Sequence, residues 1–279
     1  MCIAFCALDQ LGYALIICTN RDEFLDRPTS ASHWHSFNQH PDGTTGKSVL
    51  SGRDEKAGGT WFGVNRTTGH VALLTNITEP PQKFTSSRGS LASAFLLSNR
   101  ASGDAPLAEQ VARLIPSQEQ YAGFNMLLFA PSGASETHGS LSFDGALVTN
   151  SGGGGPITAR PLSSEERGAM GCSNGVDGHG ANDWPKVRIG VTEFRKILRD
   201  FGGAATVEEG ALTESLFTLL HADPYGTRLS TVLLVRKDGQ ALFVERDIWT
   251  LQDGKVVKAD PSSQRVHRFT LGTGTAGVS

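Results

Sequence analysis

The sequence predicts an α/β protein of the α+β type, built as a four-layer αββα sandwich of antiparallel sheets. Three observations lead to this fold class. Short apolar runs with strand character come in pairs around Gly-containing turns, which is typical of antiparallel hairpins. Helical patterns occur in two blocks between groups of strands, which argues against a doubly wound sheet. The first two strand runs are apolar at nearly every position, as expected for a sheet covered on both faces.

The N-terminal half supplies two hairpins and two helices. Residues 2–8 and 13–19 flank a polar turn that ends in Gly12, and residues 60–64 and 70–75 flank a turn that ends in Gly69. Helical patterns follow at residues 91–97 and 107–115, the second of which ends before Pro116. Residues 125–129 return to strand character.

The C-terminal half begins with a region rich in Gly, Ser and Asp, in which residues 141–143 and 146–149 are short strand candidates. The clearest helix follows, because its apolar residues are spaced by three and four: Trp184, Val187, Val191, Phe194, Leu198 and Phe201. A second helix at 212–220 and strands at 231–235, 241–244 and 265–271 complete the order. We predict a single domain over residues 1–271 and a flexible C-terminal tail at 272–279.

The composition excludes several classes of function. The 25 basic and 28 acidic residues leave a formal net charge of −3, so we expect no nucleic-acid partner. The apolar runs are far shorter than the roughly 20 residues of a membrane helix, and the N-terminus lacks the features of a signal peptide. The four cysteines show no CxxC spacing, which indicates a reducing compartment and predicts a cytoplasmic protein.

Four short motifs match known sites but lack the context that those sites need. The GxGxxG at 272–277 has no room for a following helix, and the loop at 43–48 lacks the first glycine of a phosphate-binding loop. His33, His35 and His40 lie in a polar stretch that we interpret as a loop with exposed histidines, so no metal site is predicted. The GxSxG around Ser173, with Asp223 and His267 as partners, stays open as a minor alternative.

Cys2 is the residue with the clearest chemical consequence. A small side chain at position 2 permits removal of the initiator Met, after which the Cys2 α-amine could act as the base for its own thiol. Pairing Leu8 with Tyr13 would set Cys2 opposite Thr19, so the run Asn20-Arg21-Asp22-Glu23 (the 20–23 run) would emerge beside the N-terminus. A buried structural cysteine is the alternative interpretation.

The chain resembles the NRDE-motif proteins, also called the transport-and-Golgi-organisation 2 family. The resemblance covers nearly the whole chain and rests on the joint order of short motifs. These are Met1-Cys2-Ile3, the 20–23 run with Arg27-Pro28, Gly52-Arg53-Asp54, Gly58-Gly59-Thr60-Trp61-Phe62-Gly63, Leu74-Thr75-Asn76, Ser87-Arg88-Gly89, Gly123-Phe124-Asn125, Ser173-Asn174, Trp184-Pro185-Lys186 and Thr227-Arg228-Leu229-Ser230-Thr231.

The family is similar to the N-terminal-nucleophile hydrolases, which have an αββα sandwich fold and include amidases with an N-terminal cysteine. The resemblance to those amidases gives the expected roles. The resemblance implies Cys2 as nucleophile, Asp22 holding its amine, Arg21 tuning the thiolate and Arg228 aligning the substrate. Asn76 and Asn174 would donate to the oxyanion. Candidates for lining the ligand pocket are Asn20, Glu23, Trp61 and Ser173. The related acylases carry Arg-Asn-x-Asp where this chain has the 20–23 run, so Glu23 is an alternative to Asp22.

Two functions follow from the resemblance. The first is a cysteine-dependent amidohydrolase or thioester hydrolase that needs no cofactor. The second is a non-enzymatic protein that binds and delivers haem or acyl-coenzyme A lipids, with a role in Golgi organisation and secretion. The resemblance also allows association with the Golgi or with mitochondria.

Overall fold

The computed structural model describes residues 2–37, 47–99, 106–114, 119–132, 140–202, 207–221 and 227–272. The chain divides into two compact units, one made of Met1–Arg27 and Ser163–Arg268 and the other of Pro28–Leu162 and Phe269–Ser279. The single domain expected over residues 1–271 stays a prediction. Of the predicted tail, residues 273–279 lie outside the described residues, as do His40, Asp223 and residues 43–46.

The first unit is organised by a six-stranded sheet in the order β10-β1-β2-β11-β12-β15. Its strands are β1 (Ile3–Gln10), β2 (Tyr13–Asp22), β10 (Met170–Cys172), β11 (Thr227–Arg236), β12 (Gln240–Asp247) and β15 (Arg265–Thr270). A two-stranded hairpin, β13 (Trp249–Gln252) and β14 (Lys255–Lys258), follows β12. The helices are α3 (Ser164–Gly168), α4 (Pro185–Gly202) and α5 (Glu209–Leu220). The pairs β1–β10, β1–β2, β2–β11 and β11–β12 are antiparallel.

The second unit contains a seven-stranded antiparallel sheet in which each strand pairs with the next along the chain. Its strands are β3 (Thr29–His35), β4 (Val49–Asp54), β5 (Phe62–Asn65), β6 (Val71–Asn76), β7 (Phe124–Pro131), β8 (Phe143–Thr149) and β9 (Thr158–Pro161). Two helices, α1 (Arg88–Leu97) and α2 (Leu107–Leu114), pack against it.

Each sheet buries one face against its helices. In the first unit, Phe194 and Leu198 of α4 join Phe5 and Ile16 of the sheet in one core, with the Phe5 and Phe194 ring centroids 5.9 Å apart. Gly190 permits the close approach of α4, since a Cβ there would lie 2.2 Å from the ring of Phe5. The helix therefore lies on the apolar stripe that the sequence predicts.

These arrangements confirm the predicted fold class, a mixed α/β structure of antiparallel sheets that are not closed into barrels. Each unit contains one antiparallel sheet packed against its own helices, an α layer on a β layer. Strand β2 is buried at nine consecutive positions, as expected for a strand covered on both faces.

The predicted loop around His33 and His35 is wrong, because both residues lie in strand β3. The two rings share one face of the strand, with centroids 4.9 Å apart. His33 is exposed, whereas His35 is buried, and its Nε2 lies 2.9 Å from Ser51 Oγ. The polar composition of this segment favours a loop, but the segment pairs with β4, whose first four residues are buried.

Two further properties of the described residues bear on function. No helix among them combines the length and the apolar character that a membrane crossing requires. The four cysteines are free and buried, and all of them belong to the first unit.

Candidate active site

The β1–β2 hairpin brings Cys2 next to the 20–23 run, in a register that differs from the predicted one. Ile3 pairs with Asn20, so continuing the register by one residue places Cys2 opposite Arg21 rather than Thr19. The strands are longer than predicted, and a two-residue turn joins them, in which Leu11 and Gly12 both have positive φ. Because the shift is two residues, every side chain keeps its predicted face.

The 20–23 run lies largely within strand β2, so its side chains alternate between the two faces of the sheet. Asn20 lies on the face that carries α4 and α5, since its Nδ2 donates to the Leu220 carbonyl over 2.8 Å. Its Oδ1 accepts a 2.6 Å hydrogen bond from Ser230 Oγ. Arg21 lies on the opposite face, together with Cys2.

The Cys2 thiol is held against the backbone of Asp22. Its Sγ lies 3.7 Å from the Asp22 carbonyl oxygen and 3.5 Å from the Asp22 amide nitrogen. Only 9% of the residue is exposed. The thiol is therefore positioned by main-chain groups at the end of the sheet.

The Cys2 carbonyl is anchored by two donors from a distant part of the chain. Ser173 Oγ donates to it over 2.6 Å, and Lys186 Nζ lies 3.3 Å away. Ser173 Oγ also lies 3.3 Å from Asn174 Oδ1. Strand β10 pairs with β1 and ends just before Ser173, which explains how this segment reaches Cys2.

The same geometry bears on the GxSxG alternative around Ser173. No helix follows the strand directly, because a 3₁₀ helix begins only at Ala181 and α4 at Pro185. The Ser173 hydroxyl donates to the Cys2 carbonyl, and His267 packs edge-on against Phe243, with ring centroids 6.1 Å apart. The strand-turn-helix arrangement of a nucleophile elbow is not formed here.

The charges around Cys2 act in opposite directions on its thiol. Burial raises the pKa of Cys2 above its usual value, while the positive charges of Arg21 and then Lys186 lower it and the Glu23 carboxylate raises it. At neutral pH the thiol is therefore protonated, and a nearby base is needed to make it a nucleophile.

The turn that follows β2 is held by Arg228. Its Nη1 donates to the Phe24 and Arg27 carbonyls over 3.0 Å and 2.9 Å. Glu23 Oε2 lies 3.8 Å from Arg21 Nη2 and 3.7 Å from Arg27 Nε. Arg228 thus fixes the segment that carries Glu23.

Cys2, Arg21, Asp22, Ser173 and Asn174 are brought together within the first unit. Trp61 and Asn76, the other predicted site residues, belong to the second unit. Asn76 is the last residue of β6 and pairs with Phe124, whereas the Trp61 ring packs over Gly52, where a Cβ would lie 2.5 Å from it. Their roles at Cys2 stay predictions.

Lys186 is the contributor that the sequence reasoning missed. It is part of the Trp184-Pro185-Lys186 motif, but helical periodicity gives no reason to direct its ammonium to Cys2. The contact arises because α4 begins beside the start of β1, a tertiary arrangement. Within the described ranges, no group of three His, Cys, Asp or Glu side chains is placed to hold a metal ion.

Comparison with known proteins points to the same family as the sequence motifs. A family model described as Transport and Golgi organisation 2 matches residues 1–224. The Transport and Golgi organization protein 2 homologs of Bos taurus and Homo sapiens are 29% and 27% identical to the chain, each over 89% of it and 93% of the relative. The Drosophila melanogaster Transport and Golgi organization protein 2 is 26% identical over 88% of the chain and 91% of its own length.

Proposed function

The chain belongs to the Transport and Golgi organisation 2 family, and from this premise we propose that it is a cysteine hydrolase of acyl amides or acyl thioesters. The observation that carries the proposal is the position of Cys2. Its thiol lies at the sheet end against Asp22, with the cations of Arg21 and Lys186 close enough to lower its pKa. A nucleophile beside fixed positive charge is suited to a reaction that develops negative charge.

The reaction begins once an aminopeptidase has hydrolysed the Met1–Cys2 bond. The Cys2 α-amine then takes the thiol proton as Sγ attacks the acyl carbonyl carbon, and a tetrahedral oxyanion forms. The oxyanion collapses, the bond to the amine or thiol leaving group breaks, and the α-ammonium returns a proton to that group. Water then attacks the thioester on Cys2, with the α-amine as base, which releases the acid and restores the thiol.

Other site residues of the first unit have parts in this scheme. Asp22 holds the α-ammonium, with Glu23 as the alternative, and Arg21 favours the developing thiolate. Asn174 Nδ2 donates to the oxyanion, a contribution of about 3 kcal/mol in enzymes generally. Arg228 acts as a positioning residue, because its guanidinium holds the turn that carries Glu23.

Because burial raises the pKa of the Cys2 thiol, the proposed mechanism needs a base, and the α-amine takes that part. A thiol that is protonated at neutral pH needs a proton acceptor, and a free α-amine has a reference pKa of about 7.7–8.0. Retained Met1 would leave position 2 with an amide nitrogen, which is not a base.

The experiment compares the wild-type chain with Cys2→Ala and Cys172→Ala on a panel of acyl amides and acyl thioesters. Cys172 is a matched control because it lies in the same sheet at 8% exposure. We expect Cys2→Ala to lose turnover by about a thousandfold or more, and Cys172→Ala to retain it. Equal turnover by wild type and Cys2→Ala would refute the proposed nucleophile.

A second function is favoured by the burial of Cys2, since a buried thiol with a raised pKa behaves as a small apolar side chain. In that case the chain binds and delivers haem or an acyl-coenzyme A lipid without chemistry. Saturable binding of haemin or palmitoyl-coenzyme A by both wild type and Cys2→Ala, with no turnover of the panel, supports this function over the first.

The cellular setting is proposed from the relatives. Their names connect those proteins with transport and Golgi organisation. We carry this process over to the chain, with the cytoplasm as its location. Deletion of the gene, followed by imaging of Golgi morphology and a secretion assay, tests this assignment, and unchanged morphology and secretion would contradict it.

A further inference from the structure

The first unit contains a cavity of ≈ 460 Å³ on the face of the six-stranded sheet that carries α5. The register places Asn20, Ser230 and Arg246 side by side on this face, whereas Arg21 and Cys2 lie on the other. The end of α5 supplies Leu220 and His221 to the lining. The cavity therefore does not belong to the candidate site at the Cys2 thiol.

One wall of the cavity is the β13–β14 hairpin. Asp253 and Gly254 form its two-residue turn, both with positive φ, as the sharp reversal requires. Trp249 and Lys258 pair directly across the two strands, and both line the cavity. Because directly opposed residues share one face of a hairpin, the Trp249 and Lys258 side chains leave the hairpin on the same side.

The hairpin is fixed to the sheet at its base. The Ile248 amide donates to the Arg228 carbonyl over 2.9 Å, and the Ala259 amide donates to the Ile248 carbonyl over 2.9 Å. Ile248 and Ala259 both line the cavity. The first of these hydrogen bonds joins the base of the hairpin to β11, and the second closes the base itself.

The other charged groups of the lining are already paired. Arg246 donates to both carboxylate oxygens of Glu214, and its Nε donates to Gln264 Oε1 over 2.6 Å. Asp247 accepts from Arg265 Nη1 and Nη2 over 2.7 Å and 2.8 Å. Each of these pairs has two-point geometry, which is the strong form of a charge-assisted hydrogen bond.

Lys258 is different. Among the described residues, no hydrogen bond or ion pair engages its ammonium group. His221 adds no positive charge, because burial, with Arg246 and Lys258, lowers its pKa from 6.5, so the ring is neutral at pH 7. Its Nε2 lies 3.3 Å from Ser230 Oγ. The one charge on the described lining without a partner is therefore positive.

We propose that this cavity binds a small organic carboxylate, whose anionic group pairs with Lys258 while its apolar body packs against Trp249, Ile248 and Leu220. The volume lies within the range of about 300–1,000 Å³ that is typical of small-molecule sites. A single ammonium group matches a monoanion. A phosphate dianion would call for several free donors, and Arg246 is occupied by Glu214 and Gln264.

The test is calorimetry on the full chain with two acids and their neutral counterparts. Phenylacetate and hexanoate are titrated against phenylacetamide and hexanamide, which keep the shape and remove the charge. The variants are Lys258→Met, Lys258→Arg and the control Lys255→Met. Lys255 lies on the same hairpin strand but does not line the cavity.

We expect saturable binding of the acids, affinity at least tenfold weaker for the amides, and a similar loss in Lys258→Met. Lys258→Arg should restore most of the affinity, whereas Lys255→Met should bind as the wild type does. Three results would each overturn the proposal: no saturable heat with either acid at millimolar concentration, equal affinity for acids and amides, or unchanged affinity in Lys258→Met. Cys2→Ala should bind the acids normally, so this outcome is independent of the proposed hydrolase.

Discussion

The two faces of the six-stranded sheet differ in what they do with the residues of the 20–23 run. On the helix-bearing face, the Asn20 side chain donates a hydrogen bond to the Leu220 carbonyl and accepts one from Ser230 Oγ. On the other face, Arg21 stands opposite Cys2, where its charge acts on a thiol. Adjacent residues of one strand therefore serve different purposes: Asn20 stabilises the packing of α5, and Arg21 shapes the electrostatics of the candidate site.

The largest effect on stability is expected from Asn20→Ala. The substitution leaves the Leu220 carbonyl without its Asn20 donor and removes the acceptor of Ser230 Oγ in a region where Asn20 is 6% exposed. We expect a loss of about 2–4 kcal/mol in the free energy of unfolding, measured by urea denaturation. Ser230→Ala removes the bond to Asn20 Oδ1 and the contact with His221 Nε2 but keeps the bond from Asn20 to the Leu220 carbonyl, so it should cost less. A loss below that of Ser230→Ala would show that Asn20 does not support the helix face.

The packing of α4 on the same face is tested by two glycines of that helix. Gly190→Ala should destabilise the protein by about 1–3 kcal/mol, because the new Cβ would lie within 2.6 Å of two atoms of the Phe5 ring. Gly202→Ala is the matched control, since among the described residues its Cβ would meet only Leu11 Cδ2, at 3.5 Å. Thermal unfolding of the two variants measures the difference, and equal melting temperatures would contradict the close contact.

Near Cys2, Arg228→Met should destabilise the protein less than these variants, mainly at the turn that follows β2. The variant loses the hydrogen bonds to the Phe24 and Arg27 carbonyls, which we expect to cost about 1–2 kcal/mol. Hydrogen exchange should then accelerate at residues 23–27 more than in the paired part of β11. Uniform acceleration over both segments would instead indicate global destabilisation.

The smallest expected effect concerns the charges around Cys2 and is measured by the pH dependence of Cys2 alkylation. Arg21 and Lys186 lower the pKa of Cys2 and Glu23 raises it. The pH at half-maximal alkylation should therefore rise in Arg21→Met, rise less in Lys186→Met and fall in Glu23→Gln. Peptide mapping after a short pulse of iodoacetamide reports Cys2 separately from the other cysteines. A shift of the same sign in all three variants is incompatible with these assignments.

Much of this arrangement could be predicted from the sequence because it depends on local signals. The periodic residues Val187, Phe194 and Leu198 define α4 and are buried as predicted. The β1–β2 hairpin follows from two apolar runs around Gly12, although its register depends on a turn of two residues, which the apolar pattern does not specify.

Other features depend on tertiary contacts or on a turn sequence outside the predicted strands. The ammonium of Lys186 reaches Cys2 only through the placement of α4 beside β1. The β13–β14 hairpin was not predicted, although Asp253-Gly254 is a strong signal for a two-residue turn. Strand β3 has a polar sequence that alone indicates a loop, and its pairing with β4 decides otherwise.

The most direct test of Cys2 as nucleophile is intact mass spectrometry of the chain after brief exposure to an acyl thioester at pH 8. The account predicts a chain that lacks Met1 and gains the mass of one acyl group, located on Cys2 by peptide mapping. The adduct should be absent in Cys2→Ala and present in Cys172→Ala. Retained Met1, or an adduct that persists in Cys2→Ala, would contradict it.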